Sequence, residues 1–479
     1  MTRSGAPPYS IKDSTTIIIP SAATADVTRV ANMLAFQLRP PTNFAIPIVA
    51  DTLPASKAPI RLRLAERADL GTEGYTLGVT PDSVSISAPT AAGLFHGIQT
   101  LRQLLPWRIE SEFHELAGKN WQVPALAIVD RPRFAWRGAM LDVSRHFFSV
   151  DEVKQYIDIL ALYKFNTLHL HLGDDQGFRI EIKSRPTLTT AGDLQVGGGP
   201  GGFYTQADYS EIVRYAADRF ITIVPEIDMP AHSNAMLRSY PQLSCGRRAP
   251  APYTGIDVGF SALCPDNDST YALLDDILGE LAALTPGEYL HVGGDEVKAL
   301  TKEQYIKFID RVQDIVTKHG KKMVGWEEIA QAHILPTTIS QQWQTDSARN
   351  ALAAGAKLLM SPGPKAYIDM KQNIYAELGL RWAGYNEVRT SYDWDPATYV
   401  PGATEANIIG VEAPLWSESI RNITAAEYLA MPRLPSLAEV AWTPQAQRNW
   451  DDFRKRVALH APRWRLLGIN YYPSPQIPW

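Results

Sequence analysis

Apolar residues recur along this chain in two patterns, and the change falls near residue 130. Before it, β-branched runs at Thr15–Ile19, Ile60–Leu64, Tyr75–Val79 and Ser83–Ser87 predict strands, and Thr24–Leu38 and Thr90–Leu105 predict helices. In the second helix Leu94, Ile98, Leu101 and Leu105 share one face, and Pro106 ends the run. This segment holds no cluster of reactive side chains, so a packing role is expected of it.

From about Phe134 the pattern becomes strand, loop, helix, repeated. Candidate strands are Gly138–Val143, Thr167–Leu172, Thr222–Ile227, Tyr289–Val292, Met323–Trp326, Thr338–Trp343, Lys357–Met360 and Ile408–Val411. Helical stretches at Val150–Leu162, Ala207–Phe220, Ser269–Leu284 and Lys302–His319 lie between them. Eight such strands predict an α/β fold, a (β/α)8 TIM barrel over residues 131–479, preceded by a smaller N-terminal α/β domain over residues 1–130. The gap between the fifth and sixth strands is too short for a full helix, so one crossover is irregular. A doubly wound open sheet is the alternative, but no GxGxxG follows an early strand. The glycines of VGGGPGGF, at 197–202, follow polar residues and read as loop.

Composition narrows the partners. With 479 residues the chain exceeds one ordinary core, and 45% hydrophobic with 20% charged residues fits a globular protein. A net charge of −5 argues against nucleic acid or an anionic membrane as partner. No apolar run approaches the roughly 20 residues that span a bilayer. The start, MTRSGAPPYS, lacks the basic-then-apolar pattern of a signal peptide, so the protein is cytoplasmic or its leader has been removed. The two cysteines, Cys245 and Cys264, bracket one Pro/Gly-rich segment. They fit a disulfide closing that loop, the favoured reading, or two separate buried thiols; a disulfide would point to export. Two cysteines cannot make a structural zinc site.

The densest chemical signal is HVGGDE, residues 291–296. Neighbouring side chains on a strand face opposite ways, so Asp295 and Glu296 could not share a target there. Gly293 and Gly294 end the strand and free the backbone to turn both acids toward one pocket. Crowded carboxylates repel, so one proton is held more tightly, which prepares a general acid beside an anion. Alone, the pair fits a solvated loop or an acidic helix start equally well.

The other strand ends change that balance. They carry Asp142 with Arg145 and His146; Asp174-Asp175-Gln176; Glu226, Asp228 and His232; Trp326-Glu327-Glu328; Gln342-Trp343; Tyr367 and Asp369; Trp416 and Glu418. Catalytic groups of a TIM barrel sit at these ends. Each residue has a bland reading as core or ion pair, but together they describe a pocket of acids, one arginine and several indoles. That lining suits a sugar, whose C–H faces pack on indoles and whose hydroxyls pair with Arg and carboxylates. Nine of the twelve tryptophans lie after residue 320, although Trp442, Trp450, Trp464 and Trp479 read as core. A metal-dependent hydrolase using His169, His171 and Asp174 is a weaker alternative, for want of a further ligand at suitable spacing.

In this order, WRGAMLDVSRHF, HLHLGDDQGF, PEIDMPAH, HVGGDE, WEE, AYIDM and APLWSES resemble family 20 glycoside hydrolases, the bacterial β-N-acetylhexosaminidases in particular. The likeness runs from about Thr15 to the C-terminus. It implies retaining catalysis in which the substrate's 2-acetamido oxygen attacks the anomeric carbon. By resemblance Glu296 is the general acid and then base, Asp295 orients the acetamido group, and Tyr367 bonds its oxygen. Arg145 and Glu418 match binders of ring hydroxyls, and Asp369 a contact to the 6-hydroxyl. Trp326, Trp343 and Trp416 match the acetamido pocket, and Trp382 a platform for the next sugar. Asp174 and His232 match a relay behind the acid, and Cys245 and Cys264 a loop disulfide of secreted relatives.

The implied partner is an oligosaccharide ending in β-linked N-acetylhexosamine, such as a chitooligosaccharide, with no cofactor and no metal. A disaccharide-releasing lacto-N-biosidase and a non-catalytic carbohydrate-binding relative are the alternatives, and intact Asp295, Glu296 and Tyr367 argue against the second. Val297, Lys298, Ala231 and Phe178 depart from the commoner pattern without removing a catalytic group. Lys298 would lower the proton affinity of Glu296 if it faced the pocket.

Overall fold

The computed structural model describes residues 2–52, 58–114, 120–191 and 193–479. Two bodies of secondary structure result. The N-terminal one is a seven-stranded sheet ordered Thr2–Arg3, Leu126–Asp130, Tyr75–Val79, Val84–Ala88, Ile60–Leu64, Ile17–Ile19, Ile48–Ala50. Helices α1 (Ala25–Thr42) and α2 (Ala91–Leu104) pack with it; Thr24 and Thr90 accept the first free amides at their starts, from Val27 and Gly93. The strands Thr2–Arg3, Ile48–Ala50 and Leu126–Asp130 go beyond the four expected: Ile48–Ala50 pairs with Ile17–Ile19, Leu126–Asp130 with Tyr75–Val79, and Thr2–Arg3 with Leu126–Asp130.

The second body is a closed parallel barrel of eight strands: β1 (Trp136–Asp142), β2 (Thr167–His171), β3 (Thr222–Glu226), β4 (Tyr289–His291), β5 (Lys322–Trp326), β6 (Ile339–Gln342), β7 (Lys357–Met360) and β8 (Ile408–Ala413). It closes by pairing β1 to β8, Trp136 opposite Gly410 through Ala139 opposite Ala413. The crossover helices include α3 (Val150–Leu162), α4 (Gln206–Asp218), α5 (Asp268–Leu284) and α6 (Lys302–Lys318). Capping boxes start three of them, Ser149 with Glu152, Thr205 with Asp208 and Thr301 with Gln304. Between β5 and β6 only a 3-10 turn, Glu327–Gln331, intervenes, the irregular crossover the short gap implies.

The two bodies meet at the amino ends of β1 and β2. Glu73 of the N-terminal sheet region accepts from Arg137 on β1 and from Asn166 just before β2. Although burial works against it, His96 and Arg137 hold the Glu73 carboxyl well below the carboxylate range. Nearby, Trp442 donates to Asp130, which also pairs with Lys164. The seam therefore lies at the opposite end of the barrel from the carboxyl ends of its strands.

The barrel interior carries a polar layer where branched apolar side chains are usual. Glu226, Glu412, His169, His291 and Gln341 are all buried there.

Candidate active site

β4 stops at His291 because the next residues leave extended geometry: Gly293 and Gly294 have φ of 65° and 100°. A Cβ on Gly293 would lie 1.8 Å from Asp228 Oδ1, so the turn tolerates no side chain there. Glu296 itself has φ 54°, and His232, past the end of β3, has φ 51°. Left-handed backbone at non-glycine residues costs about 1–2 kcal/mol each and persists only where the surroundings enforce it.

This turn brings the two acids to one imidazole. His232 Nε2 lies 3.5 Å from Glu296 Oε2 and 3.8 Å from Asp295 Oδ2. Its Nδ1 is 3.3 Å from Asp174 Oδ1. The other Asp174 oxygen receives Arg145 Nη1 at 2.8 Å and His171 Nε2 at 2.7 Å. Against its own burial, Arg145 and His232 hold the Asp174 carboxyl far below its ordinary value. Burial opposes charge on His232 too, but Asp174 and Asp228 raise its pKa well above that of free histidine.

Asp295 is buried and Glu296 half-buried. Burial pushes Asp295 up to about 6; the His232 charge opposes this and the Glu296 charge adds to it. Beside it, burial and the charge of Asp295 raise Asp228 well above its usual range. Asp228 Oδ1 accepts the Gly294 amide at 3.1 Å, which ties the turn to β3.

The aromatic wall forms from strands distant in sequence. Met140, Trp326, Tyr367, Met370 and Trp416 make one buried cluster, with Trp343 packed against it. Trp326 and Trp416 rings are 5.6 Å apart, and Trp382 meets Tyr367 edge-on at 5.2 Å and Trp343 at 5.5 Å. Trp382 remains half exposed, at the open side. Two indoles are fixed by acids, one buried and one half-buried: Trp326 donates to Glu226 at 3.0 Å and Trp343 to Glu328 at 3.1 Å. Arg145 lies 4.7 Å over the Trp416 ring.

Both oxygens of Asp369 and Oε2 of Glu418 are buried without a hydrogen-bonding partner in the protein. Burial raises both carboxyls, Asp369 strongly, with each acid or its neighbours adding repulsion. Buried polar atoms are nearly always paired. Unpaired acceptors next to a cage of indoles are therefore suited to a ligand with hydroxyl donors on an apolar ring.

Of the residues singled out from the sequence, Arg145, Asp174, His232, Asp295 and Glu296 meet through the contacts above, and Trp326, Trp343, Tyr367, Trp382 and Trp416 through the aromatic wall. Cys245 and Cys264 are bonded to each other, closing a loop whose far side backs the acids. Within it Ser261 donates to Asp175, and Gly259 packs so closely that a Cβ would meet the Glu296 carbonyl at 2.8 Å. Lys298 is exposed, on the rim of a cavity of about 360 Å³ that Glu296 and Glu328 also line. A larger cavity of about 1330 Å³ lies between α1, α2 and α3 and includes none of these residues.

His169 does not join His171 and Asp174 as the metal alternative required. It pairs instead with Glu226 and Glu412, each at 2.9 Å. His169, Glu226 and His291 do place ligand-type atoms within 4.8 Å of one another, but His291 Nδ1 there already accepts the Gly293 amide at 3.0 Å. Sequence reading placed Glu226, Asp228 and Glu328 among the pocket acids without a role of their own, and passed over Glu412. Glu412 had a usable signal, an acid between Val411 and Ala413 in an otherwise apolar strand.

Comparison with known proteins agrees along the whole chain. The model for glycosyl hydrolase family 20, catalytic domain, matches residues 134–445, and that for glycosyl hydrolase family 20, domain 2, matches residues 2–131. A β-N-acetylhexosaminidase of Cellulomonas fimi is 46% identical over 425 residues, 88% of this chain and 84% of that protein. The solved family 20 β-N-acetylhexosaminidase of Streptomyces coelicolor A3(2) superposes with a TM-score of 0.95 at 50% identity, covering 100% of this chain and 97% of that one. A mutant Streptomyces plicatus β-hexosaminidase in complex with its product GlcNAc gives 0.95 at 48%, covering 100% and 96%.

Proposed function

The chain belongs to glycosyl hydrolase family 20, and on that premise we propose that it is an exo-acting β-N-acetylhexosaminidase using substrate-assisted, retaining catalysis. The terminal N-acetylhexosamine enters with its pyranose face on the indoles. Trp326, Trp343 and Trp416 enclose the acetamido group, and Tyr367 donates to its carbonyl oxygen. Arg145 and Glu418 take ring hydroxyls, Asp369 the 6-hydroxyl, and Trp382 the next sugar along.

Glu296 gives its proton to the glycosidic oxygen as that bond breaks. The acetamido oxygen attacks the anomeric carbon from the other face, closing an oxazolinium ring. Asp295, as an anion, receives the amide N–H and offsets the positive charge of that ring. Water then attacks the anomeric carbon, giving its proton to Glu296, and the acetamido group is released. The configuration is retained because two inversions occur.

The observation that supports this most is the placement of Asp295 and Glu296 at one nitrogen, His232 Nε2, at 3.8 Å and 3.5 Å. A proton donor and a neighbouring anion are what a reaction needs when the substrate brings its own nucleophile. The buried, unpaired Asp369 and Glu418 support an exo mode, since they cap the pocket with acceptors for a non-reducing end. β-Linked GlcNAc or GalNAc termini, as in chitooligosaccharides, are the proposed substrates, and the loop disulfide supports export.

The test is an assay on paired 4-nitrophenyl β-glycosides with and without the 2-acetamido group. Turnover confined to the acetamido sugar is expected. Equal turnover of the plain glucoside would refute substrate assistance.

A further inference from the structure

We propose that Glu226, at the end of β3, is a positioning residue that holds the pocket wall Trp326 and the relay behind Glu296 in register, one carboxylate oxygen serving each. The proposal rests on the reading of Trp326 as the acetamido wall and of Glu296 as the proton donor.

The geometry divides cleanly between the two oxygens. Oε1 accepts the Trp326 indole N–H at 3.0 Å and lies 3.0 Å from His291 Nδ1. Oε2 lies 2.6 Å from His171 Nδ1 and 2.9 Å from His169 Nε2. From His171 the path continues to Asp174 at 2.7 Å, to His232 at 3.3 Å and to Glu296 at 3.5 Å. Among the described residues, Glu226 is thus the one carboxylate that bonds both a pocket indole and the relay. It joins β3 to β2, β4 and β5.

Folding alone does not call for it. A buried charge is costly unless fully paired, and apolar packing usually fills this layer at least as well. Glu226 takes one hydrogen bond on each oxygen, from Trp326 on β5 and His171 on β2, which marks a group held in place rather than merely tolerated.

Its electrostatic role follows from its neighbours. His169 and His171 face it from β2, His291 from β4, Asp228 lies two residues on, and Asp295 feels its charge. Although its own burial opposes this, the three histidines keep Glu226 well below the carboxylate range. Glu226 and Asp174 in turn raise His171 well above free histidine, against the cost of burial. His171 and Arg145 then occupy one oxygen of Asp174, leaving the other for the Nδ1–H of His232. That fixes which nitrogen His232 turns toward Glu296.

Glu412 provides the comparison. It is equally buried and bonds Trp136, His169 and Gln341, but touches neither the relay nor a pocket indole.

The experiment compares Glu226→Gln with Glu412→Gln in the full chain. It measures the pH profile of kcat/KM on 4-nitrophenyl β-GlcNAc, the Kd of GlcNAc-thiazoline, and thermal stability. For Glu226→Gln the expected result is a loss of kcat/KM on the order of 10²-fold, a weaker Kd, and a basic limb moved to lower pH. Glu412→Gln should lose stability but keep the Kd and the limbs. The proposal is overturned if Glu226→Gln keeps wild-type limbs and Kd, or if Glu412→Gln matches it in every readout.

If Glu226→Gln does not fold, the two arms are read singly. Trp326→Phe should weaken the Kd without moving the limbs, and His171→Gln should move the limbs; wild-type behaviour in both overturns the proposal. Failure of the underlying reading is separate, because it appears in the wild type as indifference to the acetamido group and to thiazoline.

Discussion

His232 Nε2 stands 3.5 Å from Glu296 Oε2, and both residues hold left-handed backbone, φ 51° and 54°. The strained turns after β3 and β4 thus face each other across one contact. Strain at two facing positions is stable only because Asp174 anchors the far side of the imidazole and the Gly294 amide is tied to Asp228.

Removal of the proton donor should be the clearest loss. Glu296→Gln keeps the side-chain shape and is expected to reduce kcat/KM about 10²–10⁴-fold on a substrate with a poor leaving group. A reactive aryl leaving group needs less protonation, so its loss should be smaller. Steady-state kinetics on chitobiose and on a 2,4-dinitrophenyl glycoside would show the difference; equal losses would remove Glu296 from the acid role.

Asp295 sets the acid limb. Its carboxyl is raised to about 6, and the form that supports an oxazolinium is the anion. Activity should therefore fall as pH drops through that region and recover above it. Asp295→Asn should abolish this limb and lower kcat on the order of 10²–10³-fold. A pH profile of kcat/KM checks both; an unchanged acid limb in the variant would assign it to another group.

The domain seam should carry acid sensitivity of stability. The Glu73 carboxyl is held below its unfolded value, so its contribution is fully present above about pH 4.3 and is lost as pH falls below that. Glu73→Gln leaves Arg137 with a neutral partner and should cost about 3 kcal/mol at neutral pH. The difference in Tm from wild type should narrow below pH 4. Calorimetry across pH reads it; a constant difference would contradict the linkage.

The Cys245–Cys264 loop backs the catalytic turn through Ser261 and Gly259. Cys245→Ser with Cys264→Ser should lower stability by about 3 kcal/mol, chiefly by freeing the unfolded chain. Denaturant unfolding measures this, and unchanged midpoints with and without reductant would show the bond to be energetically idle.

Barrel strands and their order were legible in the sequence because parallel, doubly buried strands write themselves as short apolar runs, and helical crossovers as periodic ones. The turn at Gly293 and Gly294 was legible too, since only glycine fits where a Cβ would strike Asp228. The motifs at the strand ends named the pocket because barrel topology gathers all such ends on one face.

What the sequence left unassigned is the set of contacts that cross the barrel. Trp326 reaches Glu226 over a separation of 100 residues, and Trp136 reaches Glu412 over 276. A buried glutamate reads alike whether it is a bonded hub or an irregular surface position, because its partners come from other strands. The raised carboxyl of Asp295 was also a matter of tertiary structure. Burial raises Asp295 more than the adjacent Glu296 charge does, and burial is decided by how β3, β4 and β5 close around it.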